Sequence, residues 1–156
     1  MATKHPRFAK TEMLIRRPVA DVFEAFIDPA ITTRFWFTRS SGRLEQGKSV
    51  RWDWEMYGHS TQVDVKAIEP DRRILIAWSG QGAPTNVEWT FTARDDGTTF
   101  VGIAAELAGS GDDLLQEAIG TAEGFTLVLA GLKALLEHGI EMNLVADRFP
   151  DGLPGN

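Results

Sequence analysis

The stretch Asp112 to His138, DDLLQEAIGTAEGFTLVLAGLKALLEH, constrains the fold most, because it is the only long run with sustained helical period. With one residue every ~100° of turn, Leu114, Ala118, Ala122, Phe125, Val128, Leu129, Leu132, Leu135 and Leu136 share one broad arc. Gln116, Glu123, Thr126, Lys133 and Glu137 share another. The spacing predicts an amphipathic helix of about seven turns with one apolar face. Ser110, Asp112 and Asp113 place capping oxygens and negative charge at its start, and His138 followed by Gly139 suits its end. A helix of this length is not stable alone in water, so its apolar face needs a large apolar partner. Gly120, Gly124 and Gly131 interrupt it on one flank, each at roughly 1 kcal/mol relative to Ala. Either another backbone approaches closely there, or the missing side chains leave room for a ligand.

The segments upstream supply the partner. Phe8 to Arg16 alternates as a half-buried strand. Pro18 opens a short helix with Val19, Val22, Phe23 and Phe26 at helical spacing, ended by Asp28-Pro29. Ala30 to Phe37 reads as one or two further helical turns carrying Phe35, Trp36 and Phe37. From Gly42 the period becomes two. Ser49 to Tyr57 reads as a strand with Val50, Trp52, Trp54 and Met56 on one face and Arg51, Asp53, Glu55 and Tyr57 on the other, turning at Gly58-His59. Val63, Val65 and Ala67 mark the next strand, ending at Glu69-Pro70-Asp71; Arg73 to Trp78 forms another, followed by a loop at Gly80 to Pro84. Val87, Trp89, Phe91 and Ala93 alternate into Asp95-Asp96-Gly97 and on to Thr99, Val101, Ile103 and Ala105, a hairpin signature. Short connections imply an antiparallel sheet, apolar on one face. The expected fold is α+β: a curved antiparallel sheet of about six or seven strands wrapped on a long C-terminal helix, with two short helices after the first strand.

Length fits one domain over residues 1–156, with a core of about 8–138 and a C-terminal extension at 139–156. That extension reads as IEMNLVADRF, irregular or briefly helical, then a loose PDGLPGN. Without cysteine, neither a disulfide framework nor a thiolate metal site is available. The N-terminus has no signal-peptide core and no segment approaches the ~18 consecutive apolar residues of a membrane span, so a cytoplasmic location is expected. A net charge of −6, with scattered Lys and Arg, argues against nucleic-acid binding.

Five tryptophans carry the functional signal. Trp52, Trp54 and Trp89 share the apolar parity of their strands, which fits either a packed core or an apolar cavity. The cavity reading assigns ligand binding to Trp36, Trp52, Trp54, Met56, Trp89, Phe91, Phe125, Leu129 and Leu132. Asp53, Glu55 and His59 are the residues a catalytic reading would need, although alternation on a solvent-facing strand produces the same pattern; no catalytic residue is assigned. Thr61 and Thr90 fit ordinary strand positions. His5, His59 and His138 lie too far apart to suggest a metal site, GQG at Gly80 to Gly82 is not a phosphate loop, and no cofactor is expected.

The element order, together with RRPVADVFEAFIDP and the following FWF, IEPDRRILIAWS, VEWTFTARDDGTTF and GFTLVLAGLKALLE, resembles the START-like (SRPBCC, helix-grip) superfamily. Within it the chain is most similar to the activator of heat-shock protein 90 ATPase family and its C-terminal-type domain. The resemblance covers about residues 8 to 138. The chain departs from it in GRLEQGKSV, where the family often has a more glycine-rich turn, and in the extension Ile140 to Asn156. The resemblance implies a hydrophobic ligand held between sheet and helix, and the leading expectation is a non-enzymatic domain that binds a small hydrophobic or aromatic molecule there. It leaves two alternatives: a chaperone-associated, stress-response interaction module, or an enzyme of the polyketide cyclase or hydrolase kind. A homodimer is a further expectation, through the glycine flank and Ile140, Met142, Leu144 and Val145.

Overall fold

The computed structural model describes residues 6–79 and 83–154; His5 and the Gly80 to Gly82 loop lie outside them. Seven strands form one antiparallel sheet: β1 (Phe8–Ile15), β2 (Arg39–Ser40), β3 (Ser49–Trp54), β4 (His59–Glu69), β5 (Arg73–Trp78), β6 (Thr85–Ala93) and β7 (Thr99–Glu106). Their order is β1-β7-β6-β5-β4-β3-β2. Helices α1 (Val19–Ile27) and α2 (Pro29–Thr32) follow β1, the long α3 (Gly111–His138) follows β7, and a short α4 (Leu144–Arg148) lies in the tail. This is the α+β helix-grip architecture expected from the periodicities.

Local chemistry explains the connections. Asp28 ends α1 and caps α2, its carboxylate accepting the Ala30 N–H at 2.9 Å, while Pro29 occupies the first turn of α2. The buried Thr32 hydroxyl donates to the Ala25 carbonyl at 2.6 Å and ties the two helices together. Between β6 and β7, the turn Asp95-Asp96-Gly97 is closed by the Arg94 N–H to the Thr98 carbonyl at 2.9 Å, with Gly97 at φ +80°. This three-residue, glycine-terminated loop matches the twist of the flanking strands.

The core lies between the inner face of the sheet and the second half of α3. Trp52, Trp89, Ile74, Ile76, Val87, Ile103, Leu129 and Leu132 are all fully buried there. Polar bonds clamp α3 to the end of β1: Lys133 Nζ donates to the Leu14 carbonyl at 2.8 Å and to Glu137 Oε2 at 2.7 Å. Glu137 also accepts the Arg16 N–H at 2.9 Å, and Arg17 Nε donates to the Leu136 carbonyl at 2.7 Å. Burial pushes the Glu137 carboxyl up, but the hydrogen bonds from Lys133 and Arg16 and the nearby positive charges outweigh it and hold it below the usual carboxylate range.

Two expectations change. The strand beginning at Ser49 stops at Trp54 rather than Tyr57, because Glu55–Tyr57 turn into a 3-10 helix closed by Gly58 at φ +58°. At the start of α3, Ser110 holds the capping position without a side-chain bond. Glu117 instead ties the preceding loop to the helix, accepting the N–H groups of Ala108 at 3.0 Å and Gly109 at 2.7 Å. By length and composition α3 could cross a membrane, yet Phe125, Val128, Leu129, Leu132 and Leu135 bury its apolar face in the domain core.

Candidate ligand site

The first half of α3 projects past the packed core, and a cavity of about 510 Å³ opens beside it. One wall is α3 itself, through Gln116, Gly120, Glu123, Gly124 and Phe125; a second is Trp36 and Trp78; the third is Tyr57 with Val145, Arg148, Phe149 and Pro154 of the tail. Its size falls in the range of small-molecule sites.

The three helix glycines separate into two kinds. A Cβ on Gly131 would meet the Phe35 carbonyl oxygen at 3.3 Å and Phe35 Cβ at 3.4 Å, so the chain after α2 packs against the α3 backbone. A Cβ on Gly120 or Gly124 would meet nothing within 4 Å, and both glycines border the cavity. One turn apart, they leave a bare strip of helix backbone along its wall.

Trp78 continues the inward parity of Ile74 and Ile76, and its ring stacks with Phe125 at a centroid distance of 5.9 Å. Trp36 stands edge-on to both, at 6.3 Å from Trp78 and 5.7 Å from Phe125. Behind them lies Trp89, whose Nε1 is the only buried side-chain polar atom among the described residues without a hydrogen-bond partner. Such a donor costs about 1–3 kcal/mol; the rings of Phe26, Trp36 and Phe125 pack against the Trp89 ring.

The tail is fastened by polar and aromatic contacts. The Tyr57 hydroxyl donates to the Val145 carbonyl, and the Tyr57 ring meets Phe149 edge-on at 6.2 Å. Burial raises the Tyr57 pKa, so the neutral hydroxyl is favoured. Arg148 Nε donates to Glu123 Oε1 across the mouth, and the guanidinium lies 4.3 Å from the Phe149 ring centroid. That hydrogen bond lowers the Glu123 pKa and raises that of Arg148, so both stay charged.

Of the nine residues nominated from sequence, Trp36 and Phe125 border this cavity. Trp52, Trp89, Phe91, Leu129 and Leu132 lie in the solid core, where ring contacts such as Phe37 on Trp52 at 4.5 Å fill the space, and the buried Trp54 borders a smaller, separate cavity with His59, Thr61 and Trp78. Met56 is corrected outright: the 3-10 turn takes it off the inner face of the sheet, leaving it 37% exposed beside Asn143 and Leu144. Sequence reasoning missed Tyr57, Trp78, Val145, Arg148 and Phe149 as lining residues, whereas room for a ligand beside Gly120 and Gly124 was one of its two readings of the helix glycines. The parity of Trp78 with Ile74 and Ile76 was the available signal for one of them.

The catalytic candidates sit elsewhere. Asp53 lies on the parity opposite the tryptophans, bonded to Arg51 at 2.8 Å and to Ser60; the Ser60 hydrogen bond, then Arg51, lowers its pKa. Glu55 and His59 are exposed, and none of the three borders the large cavity. Thr61 donates to the Ser79 carbonyl at 3.0 Å, and Thr90 is exposed. Among the described residues no three His, Cys, Asp or Glu side chains group to hold a metal ion.

Sheet, gripping helix and the two early helices define a START-like, helix-grip protein. The model of the family described as Activator of Hsp90 ATPase homolog 1-like protein matches residues 16–137, and the chain belongs to that family. Protein SSP2350 from Staphylococcus saprophyticus is 33% identical, with a TM-score of 0.73 over 86% of this chain and 95% of that one. DynU16, a putative protein in the dynemicin biosynthetic locus, is 26% identical at a TM-score of 0.75; this chain spans 48% of its length. The Aha1 dimer from Colwellia psychrerythraea shares the fold at 15% identity and a TM-score of 0.72, over 85% of this chain and 97% of that one. A search of curated proteins gave no match.

Proposed function

We propose that this protein is a cytoplasmic, non-enzymatic carrier that binds a small apolar or aromatic molecule in the cavity between the first half of α3, Trp36, Trp78 and the tail. The observation that carries the reading is the Gly120 and Gly124 pair. Each costs the helix roughly 1 kcal/mol, neither is required by a neighbouring atom, and both keep the same cavity open. Aromatic rings supply the body of the site, and its titratable lining groups, Tyr57, Glu123 and Arg148, are engaged in holding the tail. The test is the neutral fluorophore N-phenyl-1-naphthylamine with wild type and Gly124→Leu. The added side chain intrudes into the cavity and favours the helix, so probe binding should weaken while Tm holds or rises. Equal binding by both proteins would sink the reading. Native mass spectrometry of the purified protein then gives the mass of any co-purified ligand.

Family membership favours a second reading, a stress-response module that acts on heat-shock protein 90. It predicts stimulation of that chaperone's ATPase by the purified chain, and the absence of both stimulation and binding would remove it.

A further inference from the structure

The mouth of the cavity carries a cation with unspent donors. Arg148 uses Nε on Glu123; among the described residues Nη1 and Nη2 donate no hydrogen bond. The guanidinium is held over Phe149 and borders the same space as the Trp78 and Phe125 rings. A guanidinium is weakly hydrated and presents a planar fork, so it can meet an oxyanion two bonds at a time at the edge of an apolar cavity. Glu123, by contrast, is an exposed carboxylate on the helix flank that can swing into water when Arg148 takes another partner.

We infer that the ligand is a small amphiphilic anion, its apolar ring body lying against the Gly120–Gly124 strip and its acid group on Arg148, with Glu123 as the internal competitor for that guanidinium. The inference rests on the cavity reading above and adds the charge of the ligand and the residue that reads it. Arg148 lies beyond residues 16–137, so this recognition comes from the tail rather than from the matched part of the chain.

Two probes with one ring system separate the claims: N-phenyl-1-naphthylamine, which is neutral, and 1-anilinonaphthalene-8-sulfonate, which adds a single sulfonate. Dissociation constants are measured for both with wild type, Arg148→Gln and Glu123→Gln. The readout is the ratio of the sulfonate's Kd to the neutral probe's Kd, which cancels any change in the cavity itself. Arg148→Gln should raise the ratio about tenfold, the scale of one charge-assisted hydrogen bond. Glu123→Gln should lower it several-fold by freeing Arg148. Both variants break the same ion pair, so loosening of the tail alone would move the two ratios in the same direction, and that result overturns the inference. A ratio indifferent to both variants also overturns it. Binding of neither probe to wild type would instead remove the cavity reading itself.

Discussion

From Phe125 to Leu135, α3 buries Phe125, Val128, Leu129, Leu132 and Leu135. From Gly111 to Gly124 it buries no residue fully, and Leu115 and Ile119 are 59% and 55% exposed. The apolar arc runs through both halves, so hydrophobic periodicity alone does not distinguish them. What differs is what lies opposite: the sheet ends beneath the second half, while the first half faces the cavity and the tail. Glycine has a different meaning in each, since Gly131 admits the Phe35 backbone and Gly120 and Gly124 admit nothing the structure contains.

The sharpest way to break this contrast is Leu132→Ala, which leaves a hole in the closed half and should cost about 2–5 kcal/mol in urea unfolding. Glu137→Gln, at the clamp between the second half and β1, should cost about 1–3 kcal/mol by weakening hydrogen bonds to a nearly buried carboxylate. The same group gives the wild type a pH signature. Its folded pKa lies below its unfolded value of about 4.3, so its contribution is full above that value and is lost as pH falls through the folded pKa. Urea midpoints across that acid range should therefore fall less steeply in Glu137→Gln. In the open half, Gly120→Ala should raise stability by about 0.5–1 kcal/mol, whereas Gly131→Ala should gain less, because its Cβ presses on the Phe35 carbonyl. Leu115→Ala should change stability by less than about 0.5 kcal/mol. A cost comparable to that of Leu132→Ala would mean the exposed flank at Leu115 and Ile119 is covered in solution, and sedimentation would then reveal a second copy.

The fold was legible because its signals are local and repeated. Alternation across Val87 to Ala93 and Thr99 to Ala105 set the hairpin, and the arc from Phe125 to Leu136 set the gripping helix. The site was only half legible. Trp52 and Trp89 have the parity of lining residues, but whether a ring meets a void or another ring depends on packing from distant segments, here Phe37 and Phe26. Met56 keeps the alternation in sequence, and the turn that removes it is marked only afterwards, by Gly58. The tail wall has no strong period of its own. Val145 and Phe149 matter because Tyr57 holds their segment, a contact spanning 88 residues of chain.

Because the tail closes the cavity without supplying any fully buried core residue, selection has two handles on this molecule that barely interfere. Lengthening, trimming or rewriting the residues after Gly139 can change what the mouth admits while the sheet and the second half of α3 keep their packing. Sequence drift after Gly139 is therefore expected to be felt at the cavity mouth before it is felt in the fold.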